Sequence, residues 1–103
     1  MKLSLGYITA PTKAEAKEIA VSLVEEGLVA CANVIPGVES YFLWEGEMAK
    51  ATEYVIILKT KAKNQDKIVR FVKELHSYEC PCVTFMPIEG GNEDFLNWVE
   101  ESC

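Results

Sequence analysis

His76, Glu79, Cys80 and Cys82 fall within seven residues, in the segment Leu75-His76-Ser77-Tyr78-Glu79-Cys80-Pro81-Cys82, which holds the chain's one histidine and two of its four cysteines. Imidazole, carboxylate and thiolate are the side chains that hold transition metals, and thiolate favours soft ions. Each also has an ordinary role. His76 closes a helical pattern, where an imidazolium interacts favourably with the negative end of the helix dipole. Glu79 can accept backbone amides in a turn, and Tyr78 suits packing with its hydroxyl bonded. Cys80-Pro81-Cys82 is a lone C-x-C pair, whereas specific metal sites show two such pairs at fixed separation. A bis-thiolate Cu(I) site and two packed thiols are both open to it.

Other positions could join such chemistry. Cys31 sits in the apolar run Leu28 to Ile35 and reads first as a small buried hydrophobe. Lys59 closes a hydrophobic strand pattern, so it either reaches an anion in a cleft or snorkels to water. Glu53 lies six residues earlier on that strand, roughly 20 Å away, too far to pair with it. Trp44 and Trp98 read as interface and core anchors. Nucleophilic catalysis lacks a support, since a Cys31–His76 couple has no third group to orient it. Gly90-Gly91 lacks the pattern of a phosphate-binding loop. The expectation is a binding protein and not an enzyme.

The elements that position these residues follow from periodicity. Leu3, Leu5 and Tyr7 alternate with Ser4 and Gly6, predicting a strand over 3–9. Thr12 and Glu15 have capping-box spacing, and Ala16, Ile19, Ala20, Leu23 and Val24 continue as a helical stripe to a stop at Gly27. A strand over 28–35 is interrupted at Pro36-Gly37 and resumes over 38–44. After a turn at 45–47, a third strand covers 52–60 and is rich in β-branched and aromatic residues. Asn64 can cap a second helix carrying Ile68, Phe71, Val72 and Leu75. A fourth strand spans 82–86 and ends at Pro87, and a short helix carries Phe95, Leu96 and Val99.

The order β-α-β-β-α-β-α predicts an α+β fold: a ferredoxin-like split βαβ sandwich, an antiparallel sheet with two helices on one face and an extra C-terminal helix. The hairpin over 38–60 is too long for a plain version, and Tyr41-Phe42-Leu43-Trp44 at its tip would carry aromatic surface beyond the core. Such a patch finds a partner, and self-association is the expectation.

Composition agrees with that class. The 103 residues make one domain, and a chain this small buries about 65% of its unfolded surface, enough for a modest core. Hydrophobic residues make up 50%, more than one small core absorbs. Sixteen acidic and ten basic side chains give a net charge of −6, which argues against nucleic acid as a partner. No apolar run reaches the ~18 residues of a membrane span, and the chain enters a strand pattern at once, without a signal-peptide run. The reading is a cytoplasmic protein whose thiols stay reduced.

Several stretches resemble, in order and spacing, the divalent-cation-tolerance proteins called CutA: Ala30 to Val38, Trp44-Glu45-Gly46-Glu47, Leu58-Lys59-Thr60, Leu75 to Glu79, and Asn92 to Trp98. The likeness covers nearly the whole chain. It implies a ferredoxin-like protomer in a tight homotrimer, copper or another divalent metal as ligand, and no firmly attached catalytic reaction. It also implies a PII-like architecture, in which small molecules bind between subunits, and animal relatives are tied to acetylcholinesterase anchoring, which leaves a protein partner open. By position, Cys31 matches the family's Ala-Cys-x-Asn cysteine, and His76, Tyr78 and Glu79 match its His-Pro-Tyr-Glu stretch; the expectation is copper held by a set drawn from Cys31, His76 and Glu79, with Cys82 as an added ligand. Lys59 matches the family's lysine before threonine on the third strand, Glu53 an acidic position at that strand's start and Trp44 the tryptophan of the hairpin turn; with Tyr78 they are the cleft candidates, and a PII-like sensor would use Lys59 and Tyr78 to bind an anionic metabolite. The chain departs from the family at Ser77, where proline is usual, at Cys80, where an apolar residue is usual, and at Cys82, where glutamate is common. A thiol at Cys82 softens the site toward Cu(I) or zinc.

Overall fold

A computed structural model describes residues 1–103. Eight elements run in the order β1 (Leu3–Ala10), α1 (Lys13–Glu25), β2 (Cys31–Trp44), β3 (Glu47–Lys61), a 3₁₀ turn (Ala62–Asn64), α2 (Gln65–Leu75), β4 (Val83–Ile88) and α3 (Glu93–Ser102). The four strands form one sheet in the order β2-β3-β1-β4, every neighbouring pair antiparallel.

Side-chain alternation along these strands decides where the core lies. Ile8 and Ala10 of β1 face the same way as Ile56 and Leu58 of β3, and all four are buried against Ala16, Ile19, Ala20 and Leu23 of α1 and Ile68 and Val72 of α2. Two helices therefore share one sheet face. The third helix packs against β1 and β3, with Val99 buried and the Cys103 Sγ 3.8 Å from the Thr60 Oγ1. Across the middle of the opposite face, Leu5, Tyr7, Ile57 and Lys59 are only half-buried.

Several expectations change in detail. The strand at Pro36-Gly37 is one continuous element with a bulge between Ile35 and Val38, where Gly37 has a φ of 74°. The third strand begins at Glu47, five residues earlier than its apolar run. The fourth runs through Pro87, which an edge strand tolerates because its missing N–H leaves no inner ladder broken. Asn64 precedes α2 but makes no side-chain cap there. Its amide is buried and donates to the Leu28 carbonyl and the Thr60 hydroxyl, tying the end of β3 to the loop after α1.

The β2–β3 ladder outruns the rest of the sheet. Only Tyr54 to Lys61 of β3 pair with β1, so Glu47–Glu53 and Val38–Trp44 stand out as a two-stranded ribbon. The radius of gyration is 14.3 Å, against about 13 Å for a compact globule of this length.

Candidate functional site

The segment singled out above forms the loop from α2 to β4, and a histidine anchors it. His76 is the C-cap of α2 and only 8% exposed. Its Nε2 lies 2.7 Å from the Thr9 carbonyl oxygen, and its Nδ1 accepts the Tyr78 N–H at 3.0 Å. A carbonyl can only accept, so the ring proton sits on Nε2 and both nitrogens are engaged. Glu15 completes the anchor: its Oε2 accepts the Ser77 N–H at 3.1 Å and the Ser77 hydroxyl at 3.0 Å, and lies 3.3 Å from the His76 Nδ1. The capping box is thus half local. Thr12 accepts the Glu15 N–H at 3.2 Å as expected, while the Glu15 carboxylate reaches across to the loop.

With its first turn fixed, the loop lays Tyr78 over the sheet, where its hydroxyl donates to the Glu53 Oε2 at 2.9 Å. Glu53 is 7% exposed, a carboxylate inside a largely apolar wall. Burial pushes the Tyr78 phenol up to about 12, reinforced by the hydrogen bond to Glu53 and by the charges of Glu53 and Glu15.

Beside this pair lies a groove of ≈ 980 Å³ bounded by Thr9, the ribbon residues Phe42, Trp44, Ala49, Ala51 and Glu53, and the loop residues Ser77 to Cys80 and Cys82. The bulge aims the aromatics. Ile35 opposes Val55, but Val38 opposes Glu53, so an extra residue flips which side chains of β2 share a face with Glu53. Phe42, opposite Ala49, consequently faces the groove.

Five of the eight residues singled out from sequence meet here: Trp44, Glu53, Tyr78, Glu79 and Cys82. Three do not. Cys31 and Lys59 oppose each other across β2 and β3, six residues along β3 from Glu53, roughly 20 Å at strand rise. The Lys59 ammonium donates to the Asn33 Oδ1, which answers its need for a partner within the sheet. His76 lies behind the loop, sealed by its own bonds. No three His, Cys, Asp or Glu side chains stand close enough in the chain to hold a metal ion together, so Cys31, His76, Glu79 and Cys82 do not form one ligand set within a protomer. Trp98 is not a core anchor: it is 45% exposed and pairs with Phe95 at 5.6 Å between ring centroids. Glu15 and Thr9 escaped the sequence reading. Glu15 looked like a purely local cap, and Thr9 acts through its backbone, which carries no sequence signal.

Comparison with known proteins gives a concordant picture. The family model of the CutA1 divalent ion tolerance protein matches residues 4–102. A divalent-cation tolerance protein CutA of Archaeoglobus fulgidus is 44% identical over 96 residues, 93% of each chain. A chloroplastic CutA 1 protein of rice, Oryza sativa subsp. japonica, is 40% identical over 93% of this chain, which spans 54% of the rice protein's length. The crystal structure of CutA1 from Oryza sativa superimposes with a TM-score of 0.97 at 37% identity, over 99% of this chain and 94% of that one.

Proposed function

Because the chain belongs to the CutA1 divalent ion tolerance family, we propose that it serves in divalent-cation tolerance as a homotrimer of ferredoxin-like protomers, binding copper or another transition metal. Its role in this reading is binding, not catalysis, and its place is the cytoplasm. The observation that carries it is the groove, whose lining includes Glu53, Glu79 and two thiols; no three of them stand close enough within one protomer to hold an ion, so in this reading a partner subunit completes the ligand set. Oxygen and sulfur donors together suit borderline and soft ions. Glu79 and Cys82 are the metal candidates that reach this space, with Glu53 beside them. His76 would have to surrender the hydrogen bond of whichever ring nitrogen coordinated, the Tyr78 N–H at Nδ1 or the Thr9 carbonyl at Nε2.

The trimer rests on the ribbon. A two-stranded hairpin is marginal in water by itself, and this one exposes Tyr41, Phe42, Leu43, Trp44 and Met48. Partner subunits would bury that surface and close the groove. The metabolite-sensor alternative has no observation in its favour, since Lys59 and Tyr78 lie far apart in the protomer and Lys59 is already paired.

Calorimetric titration of reduced, metal-free protein with Cu(II) and with zinc tests the reading. Saturable binding of one ion per chain, weakened in both Glu53→Gln and Glu79→Gln, supports it. Binding that neither substitution changes removes the groove from the account.

A further inference from the structure

Cys80 and Cys82 are both exposed, both free, and both line the groove, so the two thiols open onto one space. Pro81 between them locks its own φ near −65° and restricts the residue before it, which limits how far the pair can swing apart. The other two thiols lie elsewhere: Cys31 on the sheet opposite Lys59, and Cys103 against Thr60 and the Val99 carbonyl. No third His, Cys, Asp or Glu side chain stands close enough to complete a cluster with them. That geometry discriminates among ions. Zinc requires four ligands, and the hard divalent ions take six or more oxygens. A d¹⁰ monovalent soft ion is content with two thiolates in line.

We propose that Cys80 and Cys82 form a two-coordinate Cu(I) site, a thiolate pair that selects the reduced ion at the same groove that receives divalent ions. The proposal rests on the groove being the binding place of this chain. Each thiol gives up its proton to solvent as its sulfur binds, and copper enters and remains as Cu(I). No oxidant or reductant takes part. The site carries net charge −1, which the Glu53 and Glu79 carboxylates on the same groove disfavour. Pairing as a disulfide is the competing chemistry, and both thiols are free in this structure.

The test is anaerobic titration of reduced protein with Cu(I) against a bicinchoninate competitor, read by the competitor's colour and by the sulfur-to-copper absorption in the ultraviolet. Expected is one Cu(I) per chain with that absorption, lost in both Cys80→Ser and Cys82→Ser and kept in Cys31→Ser and Cys103→Ser. X-ray absorption at the copper edge should report two sulfur neighbours. Retention of Cu(I) by both serine variants, loss in Cys31→Ser, or a three- or four-coordinate spectrum overturns the proposal. Both thiols are exposed, so the serine variants should fold, and their circular dichroism checks it. A protein that binds Cu(II) through Glu53 and Glu79 but takes up no Cu(I) refutes this inference alone and leaves the proposed function standing.

Discussion

The buried polar contacts behind the groove set the strongest expectations for single residues. Removing the His76 ring leaves the Thr9 carbonyl and the Tyr78 amide without partners. Each orphaned buried group costs about 1–3 kcal/mol, so the two together should lower the unfolding free energy of His76→Ala by roughly 2–6 kcal/mol in urea titrations. Tyr78 gives a spectroscopic handle. Its phenol is held up to about 12, chiefly by burial and then by Glu53, while in the unfolded chain it ionises near 10. Between those values the unfolded state has lost the proton that the folded state keeps, so stability present below pH 10 falls as pH rises toward 12. Ultraviolet titration should show Tyr78 ionising late, and Glu53→Gln should bring it back toward 10. An unshifted phenol in that variant would mean that Glu53 contributes nothing. The sequence told which residues mattered here better than it told why. His76, Glu79 and Cys82 stand out by type, but that His76 is an anchor depends on contacts with Thr9 and Glu15, more than sixty residues away, which no local pattern encodes.

At the scale of elements, alternation and helical stripes were legible because burial on one face enforces them. The starts of β1, α1 and α3 and the stripes of α1 and α2 follow directly. What resisted reading was the ribbon: Glu47 to Thr52 pair with β2 outside the sheet core, through the ladder and the exposed Lys50–Glu39 ion pair, so nothing selects an apolar period there. The bulge was visible as Pro36-Gly37, but its effect on which aromatics face Glu53 needed the register. Gly37 holds φ at 74°, a conformation that costs an L-residue with a side chain about 1–2 kcal/mol. Gly37→Ala should therefore destabilise by about that amount and weaken metal binding with it, since the bulge aims Phe42. Gly6 is constrained for a different reason. A Cβ there would meet the Leu58 Cδ1 at 3.0 Å and the Phe85 Cε1 at 3.1 Å. Gly6→Ala should cost about 1–3 kcal/mol by overpacking, without touching the groove. Binding changed in Gly6→Ala and unchanged in Gly37→Ala would reverse that assignment.

The whole molecule is a small α+β core with an apolar arm, 45 Å in its longest dimension. Its hydrophobic excess was evident in composition, and the structure locates it on the ribbon and the half-covered sheet face. Leu43 and Met48 oppose each other across the ribbon at 70% and 71% exposure, on the face away from the groove. Sedimentation equilibrium should report a trimer for the parent chain and a shift toward monomer for the Leu43→Asp, Met48→Asp double variant. A parent chain that sediments as a monomer would remove the assembly from the account. The proposed function turns on the groove between ribbon and loop as the place where a metal ion would bind. Anomalous diffraction at the copper edge from copper-soaked crystals tests it most directly. A peak beside Glu53, Glu79 and the Cys80–Cys82 pair is the predicted result, and a peak at His76 or Cys31 with the groove empty would contradict it.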